Sequence, residues 1–234
     1  MSTVDDDAHN AEFPGSALAD SALPGSAPVS SGPAGSAPVG STRRKVARIV
    51  TELGSPAIIV ILLSLAVAWH ATGYRVAPTF AWGLTVAVCS SVAPMVFIIG
   101  GARKGRWDGH HVRNREGRLI PLTLCGVFTA AGLAILIVGH APRDLIALDV
   151  AMLGTLIVCL AITQLWKVSI HTAVLGGAVA TVVLLYGTWL IVFALAVGVV
   201  GWSRVQLSDH TVAQAIVGGL VGPIVGGAIF LLVR

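Results

Sequence analysis

Apolar residues along this chain fall into long runs that short polar breaks separate, from Arg43 to the end. Most of the runs approach the roughly 20 residues that a helix needs to cross the hydrocarbon core of a bilayer. The pattern predicts spans over residues 56–73, 79–101, 119–139, 146–166, 169–187, 188–203 and 212–233. The expected fold class is therefore all-α, a polytopic membrane helical bundle of six to seven transmembrane helices.

The beginning of the chain has a different composition. Residues 1–42 are rich in Ser, Ala, Gly and Pro, repeat a PGSA-like unit and contain no Lys or Arg. Such a segment cannot bury enough apolar surface to offset its ordering entropy. We therefore expect residues 1–42 to form a disordered tail and residues 43–234 to form one membrane-embedded domain.

Composition and charge narrow the environment and the partners. Hydrophobic residues make up 55% of the chain and charged residues 11%, whereas a soluble domain has about 25% charged residues. The apolar runs must therefore face a lipid bilayer. Fifteen basic and six acidic residues follow residue 42, so the membrane part carries a charge of 15 − 6 = +9. This balance suits anionic headgroups or phosphate esters, and nucleic acid is not an expected partner because no soluble basic face exists.

Three polar clusters interrupt the apolar runs. They are residues 107–121, 166–173 and 201–214, which read WDGHHVRNREGRLIP, WKVSIHTA and GWSRVQLSDHTVAQ. Because two predicted spans separate each cluster from the next, all three should lie on one side of the membrane. An ionisable residue at the edge of a span is a functional hypothesis by default. The positive-inside rule predicts that the N-terminus and the clusters are cytoplasmic, because Lys and Arg crowd that side.

In order and spacing, the clusters resemble the signature motifs of the type 2 phosphatidic acid phosphatases, the superfamily that also contains the vanadium haloperoxidases. Those motifs run Lys-x6-Arg-Pro, Pro-Ser-Gly-His and Ser-Arg-x5-His-x3-Asp. The positions of this chain that match them are, in chain order, Arg118, Ser169, His171, Ser203, Arg204 and His210. The resemblance covers about residues 56–234 and implies a membrane-embedded phosphatase domain.

The chain departs from the family pattern at several positions. His111 replaces the lysine and Leu119 the proline of the first motif, and Val168 replaces the proline of the second. Ile170 stands where the family has glycine, which would put a side chain beside the phosphate. Gln214 replaces the final aspartate, which in the family accepts a hydrogen bond from the nucleophilic histidine.

The resemblance also implies chemical roles. His210 would attack phosphorus to form a phosphohistidine, and His171 would protonate the leaving alkoxide and then activate water. Arginine forks hold phosphate through charge-assisted hydrogen bonds. The expected phosphate-binding residues are Arg118, Arg204, His111, Ser169, Ser203 and Lys167. Gln214 would fix the tautomer of His210 without adding charge, which predicts a slower enzyme than one with aspartate.

Other residues are not assigned a part in this chemistry. Asp209 should point away from the site if its segment is helical. No metal is implied, and no other cofactor, since the sequence shows no cluster of metal ligands.

The predicted function is that of an integral-membrane phosphatase acting on a lipid phosphate or prenyl (di)phosphate. The alternative is a non-catalytic lipid-phosphate binding or transport protein on the same fold, and the departures at His111, Ile170 and Gln214 make it credible. Turnover separates these two hypotheses. A prenyl-transferring enzyme is a weaker hypothesis, because it needs clustered aspartates for magnesium pyrophosphate and Asp108 stands alone.

Overall fold

The computed structural model describes residues 39–103 and 116–234, and every regular element in these residues is helical. The α-helices are α1 (Val39–Leu53), α2 (Pro56–Ala71), α3 (Val76–Ala87), α4 (Ala93–Arg103), α5 (Glu116–Val138), α6 (Arg143–Leu165), α7 (Ile170–Tyr186), α8 (Ala194–Gln206), α9 (Val212–Val221) and α10 (Gly227–Val233). The π-helical turns Val88–Val92 and Gly222–Gly226 join α3 to α4 and α9 to α10, and the 3₁₀ turn Thr188–Phe193 leads into α8.

Six stretches of the described residues are helical, apolar and long enough to cross a bilayer. They are Gly40–Ala71, Val76–Gly101, Leu119–Val138, Arg143–Leu165, Thr188–Gln206 and Val212–Val233. Helix α7 is apolar but has 17 residues, which span about 25 Å and fall short of the roughly 30 Å hydrocarbon core. The prediction of an all-α integral membrane protein with six to seven transmembrane helices is confirmed.

Helix α7 lies in the interior of the bundle. It packs against α2, α8, α9 and the π-helical turn Gly222–Gly226. Its buried residues lie on all sides of the helix: Thr172, Ala173, Leu175, Gly176, Ala178, Val179 and Thr181. Protein rather than lipid therefore surrounds much of α7, so its length does not have to match the thickness of the bilayer.

Helix α1 was not among the predicted elements. It begins at Val39, so the expected boundary of the tail at residue 42 lies inside a helix. The remainder of the expected tail, residues 1–38, lies outside the described residues. Helix α1 packs on α8, where Thr51 Oγ1 lies 3.0 Å from Ser203 Oγ. Helix α1 is therefore attached to the bundle through its contact with α8.

Two glycines allow α9 and the following π-helical turn to approach α7 closely. A methyl group on Gly218 would overlap the carbonyl oxygen of Ser169, and one on Gly222 would overlap that of Ala173 and lie 2.6 Å from the Gly177 nitrogen. Small residues permit this kind of close contact between membrane helices. The contact brings the start of α9 beside the start of α7, where two of the polar clusters lie.

We expect Gly222→Ala to destabilise the bundle by about 1–3 kcal/mol, because the added methyl group has no space and forces α7 and α9 apart. For a chain of this size the melting temperature should fall by about 2–4 °C per kcal/mol. Thermal unfolding in detergent measures the effect. The control is Gly198→Ala, where a methyl group would have no neighbour within 4 Å. Equal melting temperatures for the two variants would contradict the packing argument.

Candidate functional site

The second and third polar clusters meet in the structure, although 42 residues separate Lys167 from Asp209. The Lys167 Nζ donates a hydrogen bond to the Asp209 carbonyl oxygen, and the Ser169 N–H donates to the Gln214 carbonyl oxygen at 3.3 Å. Both bonds join the segment before α7 to the region where α8 passes into α9. We use the term site cluster for Lys167, Ser169, His171, Arg204, Asp209, His210 and Gln214.

The N-terminus of α9 determines the orientation of His210. Thr211 Oγ1 accepts a hydrogen bond from the Gln214 N–H at 3.3 Å, and the Thr211 N–H donates to Gln214 Oε1 at 3.1 Å. This reciprocal capping box requires the amide oxygen of Gln214 to face that N–H. His210 Nδ1 lies 3.2 Å from the same oxygen, and an oxygen can only accept here, so Nδ1 carries the hydrogen. The lone pair of the neutral imidazole is then on Nε2.

The connection between α8 and α9 folds back over Arg204. The N–H groups of Asp209 and His210 donate to the Arg204 carbonyl oxygen at 3.1 and 3.3 Å. Asp209 Oδ2 lies 3.0 Å from an Arg204 terminal nitrogen. The expectation that Asp209 points away depended on a helical segment, but α8 ends at Gln206 and Ser208 has a left-handed φ of 59°. Asp209 therefore belongs to the site cluster as the ionic partner of Arg204.

Two buried polar atoms of the site cluster have no hydrogen-bond partner, Ser169 Oγ and Arg204 Nε. Ser169 is 0% exposed and precedes α7 as its N-cap, without a side-chain cap bond. An unpartnered buried donor costs about 1–3 kcal/mol, so these two atoms are candidate contacts for a ligand or an ordered water molecule. Helix α7 begins at Ile170, next to these atoms, and the N-terminus of a helix favours an anion.

The second histidine of the site cluster lies in the first turn of α7. His171 is half-buried, and Arg204, His210 and Asp209 are near enough to act electrostatically on its imidazole. These residues come from α7, from the end of α8 and from the connection that follows it. The predicted pair of histidines and the predicted arginine therefore lie together at the start of α7.

The Ser203 hydroxyl has partners on α8 and α1. Its hydroxyl donates to the Val200 carbonyl oxygen at 2.7 Å and lies 3.0 Å from Thr51 Oγ1. The side chain is 0% exposed, and both contacts hold α8 in place against α1. The prediction that Ser203 binds phosphate stays a prediction.

Two further predictions concern residues near the site. Ile170 packs against an apolar group formed by Cys159, Val168 and Ala173, so its side chain is accommodated among apolar neighbours. His111 lies outside the described residues. Arg118 belongs to the first turn of α5, but its side chain lies outside what the structure describes.

Sequence reasoning missed Thr211, which orients Gln214. The signal was present, because a threonine three residues before a glutamine at the start of an apolar run is the capping-box pattern. It was not recognised because Gln214 was considered only as the replacement for an aspartate. Asp209 was missed for another reason, since its partner depends on the path of the connection after α8.

No protein-family model matches this chain, and neither a curated protein nor a solved structure matches it significantly. The function must therefore be inferred from the residues of the site cluster.

Proposed function

We propose that this chain is an integral-membrane phosphatase that hydrolyses the phosphate ester of a lipid through a phosphohistidine on His210. The observation that carries the proposal is the pair of buried donors without partners, Ser169 Oγ and Arg204 Nε. A bound phosphate group would offer acceptor oxygens to both atoms, and its negative charge would match the arginine. Preorganised donors of this kind usually supply the largest catalytic effect.

In the first step His210 acts as the nucleophile. Its Nε2 lone pair attacks phosphorus, a P–N bond forms, and the bond between phosphorus and the lipid oxygen breaks. The leaving alkoxide takes a proton from His171, which acts as the general acid. The imidazole ring becomes positively charged, and its Nδ1–H remains bonded to Gln214 Oε1, which lies 3.2 Å away. A neutral amide stabilises this charge less than a carboxylate would.

In the second step water breaks the P–N bond. His171, now neutral, accepts a proton from the attacking water, inorganic phosphate leaves, and the Nε2 lone pair returns to His210. Two displacements replace one difficult displacement by water. Ser169 and Arg204 hold the phosphoryl oxygens in both steps.

Asp209 orients Arg204 for binding the phosphoryl oxygens. Its carboxylate contacts a terminal nitrogen of the guanidinium at 3.0 Å, which leaves Nε for the ligand. The Asp209 side chain is 42% exposed, so solvent screens the ion pair and its contribution is small. A phosphate dianion can therefore compete for the guanidinium without a large loss.

An apolar groove supports a substrate with a lipid tail. The groove has a volume of about 950 Å³ and lies between α7, α8 and α9. Trp202, Val205 and Val212 line it next to the site cluster, and Leu184 and Leu231 line its far end. A headgroup held at the site cluster would leave its tail in this groove, within the apolar part of the bilayer.

We also propose that the site cluster faces the cytoplasm. Arg44, Lys45 and Arg48 of α1 are exposed, as is Arg103 at the end of α4, and α1 packs on α8, which ends at the site cluster. An excess of Lys and Arg next to spans is typical of cytoplasmic segments.

Two observations favour a second candidate, a protein that binds lipid phosphate without hydrolysing it. Arg204 already has an ionic partner in Asp209, and His210 is supported by an uncharged glutamine. Both features weaken catalysis more than binding, because catalysis depends on charge that develops only in the transition state.

Release of inorganic phosphate by the detergent-purified protein tests the proposal. The substrates are phosphatidate, a polyprenyl phosphate, a prenyl diphosphate and a soluble phosphomonoester. We expect release from at least one lipid and slower release from the soluble ester, which cannot use the groove. Binding of a lipid phosphate without release of inorganic phosphate would establish the second candidate. If the protein neither binds nor hydrolyses any of these substrates, both candidates are contradicted.

We expect Gln214→Glu to raise kcat/KM by about tenfold, because a charged acceptor strengthens the Nδ1–H bond by about 1.4 kcal/mol as the ring becomes positive. Phosphate release by the two proteins at the same pH measures the change. The control is Gln164→Glu, an exposed position near the end of α6 that adds the same charge. An equal effect of the two substitutions would show that Gln214 does not act on His210.

A further inference from the structure

A buried carboxyl group lies in the apolar part of the bundle, away from the site cluster. Asp149 is the seventh residue of α6, about 9 Å along the helix from its start at Arg143. The side chain is 0% exposed. Ionisable residues inside membrane spans are rare and are functional hypotheses by default, because their burial is costly.

One oxygen of this carboxyl group is bonded and the other is not. Ser90 Oγ donates to Asp149 Oδ1 at 3.0 Å. Asp149 Oδ2 is buried and has no hydrogen-bond partner. The salt bridges among the described residues join other groups and do not include Asp149. A charged carboxylate here would therefore lack both a counter-ion and half of its hydrogen bonds, a state that proteins avoid.

Neither water nor a metal ion resolves this shortage. A buried water molecule needs about three hydrogen-bond partners, whereas the position beside Oδ2 adjoins Gly132 and the Cys89 side chain. A metal ion requires several oxygen ligands, and the described residues contain no group of three or more His, Cys, Asp or Glu side chains that could hold one. A proton needs no additional space, and it removes the charge.

The neighbours of the carboxyl group lie on the π-helical turn Val88–Val92 and on α5, which pack against each other. Ser90 belongs to the π-helical turn Val88–Val92. On α5, a methyl group on Gly132 would lie 2.7 Å from Cys89 Cβ and 3.7 Å from Asp149 Oδ2. The Cys89 thiol is the titratable group that acts electrostatically with Asp149 among the described residues. The next residue of the turn, Ser91, donates to the Ala57 carbonyl oxygen of α2 at 3.1 Å.

We propose that Asp149 and Ser90 form an intramembrane proton-binding site, in which Asp149 is a neutral carboxylic acid with its proton on Oδ2 and Ser90 donates to Oδ1. The bound proton is part of the folded bundle. Its release leaves a bare carboxylate between α6, α5 and the π-helical turn, without a counter-ion among the described salt bridges. Proton binding is therefore linked to the packing of the bundle.

The infrared spectrum of purified protein at neutral pH tests the protonation directly. We expect the carbonyl stretching band of a protonated carboxylic acid, and we expect Asp149→Asn to remove it. The control is Asp144→Asn, because Asp144 is partly exposed and lies 3.4 Å from His70 Nδ1, so its loss should remove a carboxylate band. In wild-type protein made with isotope-labelled aspartate, the carbonyl band must shift to lower frequency. This shift assigns the band to an aspartic acid without any substitution. A carboxylate band at Asp149 would overturn the proposal.

Thermal unfolding at rising pH provides a second test. The folded wild type would hold one proton that the unfolded chain releases above the ordinary range of aspartate, so its stability falls as pH rises. Relative to Asp149→Asn, the wild-type melting temperature should fall by about 3–5 °C per pH unit. Parallel curves of melting temperature against pH for the two proteins would overturn the proposal. A melting temperature that rises with added sodium chloride more in the wild type than in Asp149→Asn would also overturn it.

Discussion

His210→Asn is expected to abolish phosphate release from every lipid phosphate. Asparagine can still bond to Gln214 Oε1 but cannot form the P–N bond, so we expect a loss of about 10⁴-fold or more, the scale of losing a covalent nucleophile. Phosphate release gives the rate, and labelled substrate followed by alkaline gel electrophoresis, which preserves phosphohistidine, gives the intermediate. Wild-type protein should carry the label and the variant should not.

The matched control for this substitution is His140→Asn. His140 is exposed in the turn between α5 and α6, at the end of α5 away from the site cluster, and has a left-handed φ of 56° that asparagine also adopts. This variant should retain wild-type activity. If His210→Asn released phosphate as fast as His140→Asn, the nucleophile would be a different group.

His171→Gln is expected to slow hydrolysis of lipid phosphates by about 10²–10⁴-fold, which is the usual contribution of a general acid–base residue. The effect should depend on the leaving group. An aryl phosphate releases a stable phenolate that needs no proton, so its first step should continue in the variant. The second step still requires His171 to activate water, so the phosphohistidine should accumulate and phosphate release should follow a burst of phenolate.

The burst separates His171 from a residue that only supports the fold. A structural role would slow both substrates to the same extent and leave no phosphohistidine. Arg204 offers a useful comparison, because its loss should weaken both steps for both substrates. Equal losses on alkyl and aryl phosphates in His171→Gln would contradict the assignment of the general acid.

Local sequence was enough to predict most of the helices. The predicted span 146–166 corresponds to α6 (Arg143–Leu165), and the predicted span 212–233 corresponds to the stretch Val212–Val233. These predictions succeed because the length of an apolar run can be read from the sequence, and the thickness of a bilayer sets the length that a span requires. Helix α1 was missed because it is mostly polar, although Val46, Ile49 and Leu53 recur at helical spacing.

Sequence also indicated which residues to examine at the site. The parity of the spans predicted that Ser169, His171 and His210 would lie on one side of the bundle, and the structure brings these residues together. The family resemblance and the phosphatase activity stay predictions. The assignment of Ser203 to phosphate binding also stays a prediction, and its contact with Thr51, 152 residues away, could not be foreseen from the sequence.

The sequence by itself determined the all-α membrane fold and the polar residues that an apolar bilayer cannot accommodate. The tertiary structure alone decided how those polar groups are satisfied. It paired Arg204 with Asp209, bonded His210 to Gln214, and left Ser169 Oγ, Arg204 Nε and Asp149 Oδ2 without partners. The reason is physical: apolar length is a local property of the chain, whereas a hydrogen bond needs two atoms within about 3.5 Å, and helix packing sets that distance.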